Sequence, residues 1–238
     1  MHIVIAGLSL VAALASFAAP ASAKPSSHKA MAILAEVKTA SGGAAWDKVA
    51  GWHENGVHGN TAYETQLDYL HYGSLFKQTR DGQTHLRGFN GTVAWDEGPD
   101  GKVVLSTEPS RLADARTTAY GSINGFFFSD RFPARFDYLR AVKEGGHRYD
   151  VLRIVPEGAN PFELWVDRAT HLVAKLVDRS GKRPVVATIT GYEEVEGLKL
   201  GSGFTISDGV PAHAQTVHIG SYELAPVSRA IFDPPADK

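Results

Sequence analysis

The sequence contains no cysteine. Disulfides, thiol nucleophiles and thiolate metal ligands are therefore excluded, as is lipid attachment through a cysteine. It also has little net charge, formally −2, with acids and bases interspersed along the chain. A nucleic-acid partner would need a concentrated basic face, and none is present. After the first 23 residues no apolar run approaches the roughly 20 residues of a membrane span. The common catalytic signatures are missing too. There is no G-x-S-x-G and no H-E-x-x-H, and Gly101-Lys102 and Gly181-Lys182 lack the Ser/Thr and upstream Gly of a phosphate loop. Ser207-Asp208-Gly209, the nearest string to an aspartic-protease centre, reads as a turn. His53 and His58 are five apart, as are His213 and His218, so on one strand each pair would face opposite ways. The adjacent acids Asp96/Glu97 and Glu193/Glu194 diverge on a strand in the same manner, which leaves no ready acid/base dyad. The expectation is a non-enzymatic protein without metal or cofactor.

What the chain does have begins with its N-terminus. Ile3 to Phe17 is almost wholly apolar and is followed by Ala-Ala-Pro-Ala-Ser-Ala, with Ala21 and Ala23 in the A-x-A arrangement of a signal-peptidase site. Residues 1–23 are expected to be a cleavable signal peptide. Residues 24–238 then form a single domain in the periplasm, with no transmembrane segment in the mature chain. At 43% apolar and 21% charged residues the composition is that of a globular protein.

Hydrophobic periodicity gives the elements. Ala30, Ile33, Leu34 and Val37 recur at helical spacing, with Ser26 or Ser27 as cap and Gly42-Gly43 as terminator. Trp46 and Trp52 are the expected contacts for that helix. After Trp52 the period changes to two, with Tyr63, Thr65, Leu67, Tyr69 and His71 on one face. Asp81-Gly82, Asn90-Gly91 and Asp100-Gly101 mark closely spaced turns between antiparallel strands. Residues 107–125 return to helical spacing, with Pro109 in the first turn and the block Phe126-Phe127-Phe128 following. Strands resume after Gly145-Gly146, punctuated by Glu157-Gly158, Asp178 to Gly181, Glu196-Gly197 and Asp208-Gly209. That is the rhythm of a sandwich or barrel.

The aromatic residues admit two readings. One is an aromatic-rich packed core. The other is a half-open barrel with an apolar inner face closed by the central helix, able to hold one apolar ligand. On the second reading the cavity and lid candidates are Tyr69, Phe89, Trp95, Leu112, Ile123, Phe126, Phe127 and Trp165. Gly121 and Gly125 would give the lid a hinge.

Several strings resemble a known family. They are Ser41-Gly42-Gly43 with Trp46, Gly88-Phe89-Asn90-Gly91-Thr92-Val93-Ala94-Trp95, the run from Glu163 through Trp165 to Leu172, and Tyr192-Glu193-Glu194-Val195-Glu196-Gly197-Leu198. In this ordering the chain resembles the periplasmic outer-membrane lipoprotein-sorting and carrier (Lol-type) superfamily over most of residues 29–235. The resemblance implies a mainly β fold with helices (α+β), an incomplete antiparallel β-barrel wrapped around an N-terminal helix and a central lid helix. It implies a cavity for the acyl chain of a lipid or lipoprotein, with an acylated lipoprotein or another envelope protein as partner. The arginine that governs release in true carriers has no counterpart here. The competing function is a non-catalytic accessory domain of the envelope with a filled core and no ligand.

Overall fold

The computed structural model describes residues 25–236, and the expected leader lies outside them. Helix α1 (His28–Ala40) begins where the Ser27 hydroxyl accepts from the Ala30 amide. Its stripe Ala30, Ile33, Leu34 and Val37 is buried. A short 3₁₀ segment then brings Trp46 back beneath it, with the indole N–H donating to Ser41 Oγ at 3.0 Å.

Two antiparallel meanders follow. The first comprises β1 (Gly51–His58), β2 (Thr61–Asp68), β3 (Gly73–Arg80), β4 (Gln83–Phe89), β5 (Ala94–Glu97) and β6 (Val103–Ser106). Helix α2 (Pro109–Ser122) and a 3₁₀ turn at Gly125–Phe127 come next. The second meander runs through β7 (Ala134–Glu144), β8 (His147–Pro156), β9 (Phe162–Asp167), β10 (Val173–Asp178), β11 (Val185–Val195), β12 (Leu198–Ser207) and β13 (Gln215–Glu223). β13 pairs with β1, so the two meanders form one 13-stranded sheet with β6 and β7 at its edges. The sheet is an open half-barrel, and α2 connects its two edge strands. At the β7 edge, Ser27 N–H donates to Phe136 O at 2.7 Å and Phe136 N–H donates to Ser26 Oγ at 3.1 Å, so the helix start occupies hydrogen-bonding groups left open there.

The sheet buries both faces in different ways. On the inner face, Trp52, Leu67, Phe136, Leu152, Ile154, Leu164 and Leu200 join α1 and Phe126 in the main core. On the outer face, Tyr149, Val151, Trp165 and Val177 form a separate cluster across β8–β10. Farther along the outer face the chain end docks. The Trp95 indole N–H donates to Phe232 O at 2.8 Å, and its ring lies where a Gly88 Cβ would be only 2.1 Å away.

The two helices, the Asp81-Gly82 and Glu196-Gly197 turns, and the later strands follow the sequence expectation within a few residues. Three details differ. β7 precedes Gly145-Gly146. These two glycines, at φ 57° and 85°, form the two-residue turn of a β7–β8 hairpin, which requires a strand on each side. Asn90-Gly91 belongs to a four-residue connection held by the Asn90 side chain, which accepts from the Thr92 and Val93 amides. β2 ends at Asp68, so Tyr69 and His71 fall in the following turn. Tyr69 is still buried there, while His71 is turned out and paired with Asp68.

Candidate functional site

Between α2 and the inner face of β10–β13 and β1 lies a cavity of about 350 Å³. Ligand pockets typically fall between about 300 and 1,000 Å³. Its roof is Thr117, Gly121 and Ser122 of α2 with Phe126 and Phe127. Its floor is Leu176 of β10, Ala187 and Ile189 of β11, and Leu200 and Phe204 of β12. Trp52 and Glu54 of β1 and Tyr222 of β13 close one end. A second depression of about 470 Å³ over β3–β6 is bordered by Arg87, Asp96, Glu97 and Lys102. That charged border suits an aqueous groove better than an apolar ligand.

The position of α2 follows from its contacts. Leu112 and Ala115 pack with Phe89 and Ala94 of the first meander. Gly121, at the other end, faces Leu176 of the second. Arg116 ties the helix to both sides by donating to Gly91 O and Gly158 O, each at 3.1 Å. Asn160 adds a bond from its amide to Thr117 Oγ1 at 2.7 Å. The helix is thus fastened across the half-barrel at both ends. Gly125 serves close packing rather than a hinge: a Cβ there would meet the Tyr120 ring at 2.7 Å. A Cβ at Gly121 would meet Leu176 at an ordinary 3.6 Å.

Of the eight candidates from the sequence, Phe126 and Phe127 line the cavity. Phe127 stacks obliquely on Trp46 with ring centroids 5.2 Å apart. Tyr69 and Ile123 are fully buried in the main core. Phe89 and Leu112 form the contact between the start of α2 and β4. Trp95 and Trp165 lie on the outer face, away from the cavity, because each occupies the alternate position of its strand. The wall residues Trp52, Glu54, Leu176, Ile189, Phe204 and Tyr222 were not anticipated. The available signal was the spacing of Trp52 and Glu54, which places both on one strand face.

Most polar groups in the cavity wall are already engaged. The Tyr192 hydroxyl donates to Val173 O and that of Tyr222 to Gly201 O, so the rings are what remain to face a ligand. Burial pushes both phenols up, and both stay protonated. Glu54 differs. Its Oε2 accepts from the Trp52 indole N–H at 2.9 Å and its Oε1 from the Tyr63 hydroxyl at 3.1 Å. Burial raises its pKa and outweighs those two bonds and the nearby His53. Among the described residues no cluster of His, Asp or Glu is arranged to hold a metal ion.

No protein-family model matches the sequence, and comparison with curated proteins finds no match. Solved structures do match. A LolA superfamily protein from Nitrosomonas europaea superposes with a TM-score of 0.60 at 15% identity, over 86% of this chain and 97% of the other. The two chains share one fold. A DUF1329 family protein from Desulfovibrio piger gives 0.58 at 11% identity over 88% and 98% of the two chains. A protein described as an outer-membrane lipoprotein-sorting domain, from Vibrio parahaemolyticus, gives 0.56 at 15% identity over 86% and 96%. These likenesses bear out the fold inferred from the sequence strings.

Proposed function

We propose that this chain is a binding module of the cell envelope that takes the apolar chain of a lipid or an acylated lipoprotein into the cavity under α2. The observation that carries the reading is the unfilled space of about 350 Å³ between the lid helix and the aromatic and aliphatic wall of β10–β13 and β1. A purely structural accessory domain would close such a space, because an empty apolar cavity forfeits packing. Each methylene of an acyl chain buried there contributes about 0.8 kcal/mol, so about ten buried methylenes supply the roughly 8 kcal/mol of micromolar binding. The Lol-type fold supports the same reading, as does the apolar leader of residues 1–23, whose cleavage would place the domain of residues 24–238 in the periplasm.

The test is displacement of a fluorescent fatty-acid probe from delipidated protein. Micromolar binding is expected. Ala187→Phe, which grows a ring from β11 into the cavity, should weaken it at least tenfold while the circular dichroism spectrum stays strand-dominated. No probe binding at millimolar concentration would remove the proposal and leave the accessory-domain reading. N-terminal sequencing of protein from the envelope fraction should begin at or near Lys24; an intact Met1 would contradict export.

A further inference from the structure

The cavity wall is mainly apolar, and at one end a carboxylate sits among aromatic rings. Glu54 and Trp52 share a face of β1. The Trp52 ring meets the Tyr222 ring edge-on, with centroids 4.8 Å apart, and stacks on Tyr69 at 5.9 Å. Each oxygen of Glu54 accepts one neutral donor, although an ionised carboxylate has about four acceptor positions. Among the described residues no Lys, Arg or His nitrogen forms an ion pair with Glu54. The titratable groups facing it are Tyr63 from β2, Tyr222 from β13 and Tyr69 from the turn after β2, with His53 beside it in sequence. His53 makes its own pairs with Glu64 and Glu223. Lys199 and Asp178 also line the cavity, and neither forms an ion pair with Glu54.

The same chain shows what normally completes this arrangement. On β9, Trp165 and Glu163 also lie two apart on one face, and the indole N–H donates to the carboxylate at 3.0 Å. There the chain supplies the cations itself. Arg140 and Arg179 hydrogen-bond to Glu163, and the Lys175 ammonium lies 4.9 Å from the Trp165 ring centroid. The Trp52–Glu54 pair has the carboxylate and the ring and lacks the cation.

We infer that the ligand of this cavity is an amphiphile whose alkyl chain is joined to an ammonium group, with the ammonium seated between Glu54 and the rings of Trp52 and Tyr222. A carboxylate with an aromatic face is the combination that recognises alkylammonium ions. A free fatty acid would set its own carboxylate against Glu54, and that repulsion would weaken its binding relative to an ammonium of equal chain length without abolishing it. Raising of the Glu54 pKa by burial agrees with a site that holds a carboxylate without a counter-ion. The inference rests on the proposed chain-binding function and specifies its head group.

Isothermal titration calorimetry below the micelle concentration separates the two. Delipidated protein is titrated with dodecyltrimethylammonium, with dodecanol and with laurate at neutral pH. The ammonium ligand should bind about tenfold or more tighter than the alcohol, and laurate weakest. Glu54→Gln should erase the preference of ammonium over dodecanol. Thr65→Lys, on the neighbouring strand directly opposite Glu54, should erase it as well by supplying an internal ammonium. Equal binding of alcohol and ammonium to the unsubstituted protein would overturn the head-group inference alone, as would a preference that survives Glu54→Gln. Failure of all three ligands to bind would overturn the chain-binding reading beneath it.

Discussion

Trp52–Glu54 on the inner face and Trp165–Glu163 on the outer face are the same local device in two surroundings. In both, period-two alternation places a Trp and a Glu two residues apart on one strand face, and the indole N–H bonds to a carboxylate oxygen at 2.9 or 3.0 Å. The surroundings reverse the electrostatics. At Glu163, burial pushes the carboxyl up, but hydrogen bonds from Arg179 and Trp165 and the charges of Arg140 and Arg179 outweigh it and hold the pKa below its ordinary value. At Glu54, burial wins and the pKa is raised. The outer pair is finished within the chain and holds four strands together. The inner pair is left open toward a cavity. A Trp–Glu pair therefore reads as structure or as a site according to whether the fold supplies the cation.

The largest effect should come from removing the outer ring. Trp165→Ala empties the centre of the cluster formed with Tyr149, Val151 and Val177, and should cost about 3–5 kcal/mol in urea unfolding. Fatty-acid probe binding in the still-folded fraction should be unchanged, because Trp165 does not reach the cavity. A loss of probe affinity there would break the division between the two faces. Glu163→Gln comes next. It leaves Arg140 and Arg179, each about half exposed, without their anion, and should cost about 1–2 kcal/mol.

Glu54→Gln is smaller and opposite in sign. The carboxylate has no counter-ion, so the amide should raise stability by less than about 1 kcal/mol at neutral pH. The pH dependence sharpens the contrast. A raised pKa in the folded state means that ionisation above the ordinary 4.5 disfavours the fold. The advantage of Glu54→Gln is therefore absent below about pH 4.5 and grows as pH rises through the folded-state pKa. A lowered pKa acts the other way. The deficit of Glu163→Gln is fully present above the ordinary 4.5 and vanishes as pH falls through the folded-state pKa. Urea titrations at a series of pH values should show the two differences running in opposite directions. Parallel curves would remove the distinction.

The fold was legible where the signal is local. Ser27 and Gly42 bracket α1, Pro109 opens α2, and two-residue turns such as Glu196-Gly197 fix hairpin register. β7 was hidden because Arg135, Asp137, Arg140 and Lys143 spread charge along both faces of an edge strand, one side of which meets the polar outer surface. The site was legible only in outline. Phe126 and Phe127 stand out because three consecutive Phe must bury. Trp95 and Trp165 were misplaced because alternation tells which residues share a face without telling which face is inner. In a half-barrel both faces bury aromatics, the inner under helices and the outer under a returning tail or a lattice of cations. Glu54 and Tyr222 come together only because β13 pairs with β1, a contact between opposite ends of the sequence.

The central claim is that Glu54 waits for a cation that the ligand brings. Side-chain carboxyl ¹³C NMR of glutamate-labelled protein, assigned with Glu54→Gln, measures this directly. The Glu54 carboxyl should titrate above 4.5 in the free protein, and its pKa should fall when dodecyltrimethylammonium is added, because a bound cation favours the ionised form. A Glu54 that titrates at its ordinary value and does not shift on adding the ammonium ligand would contradict the account.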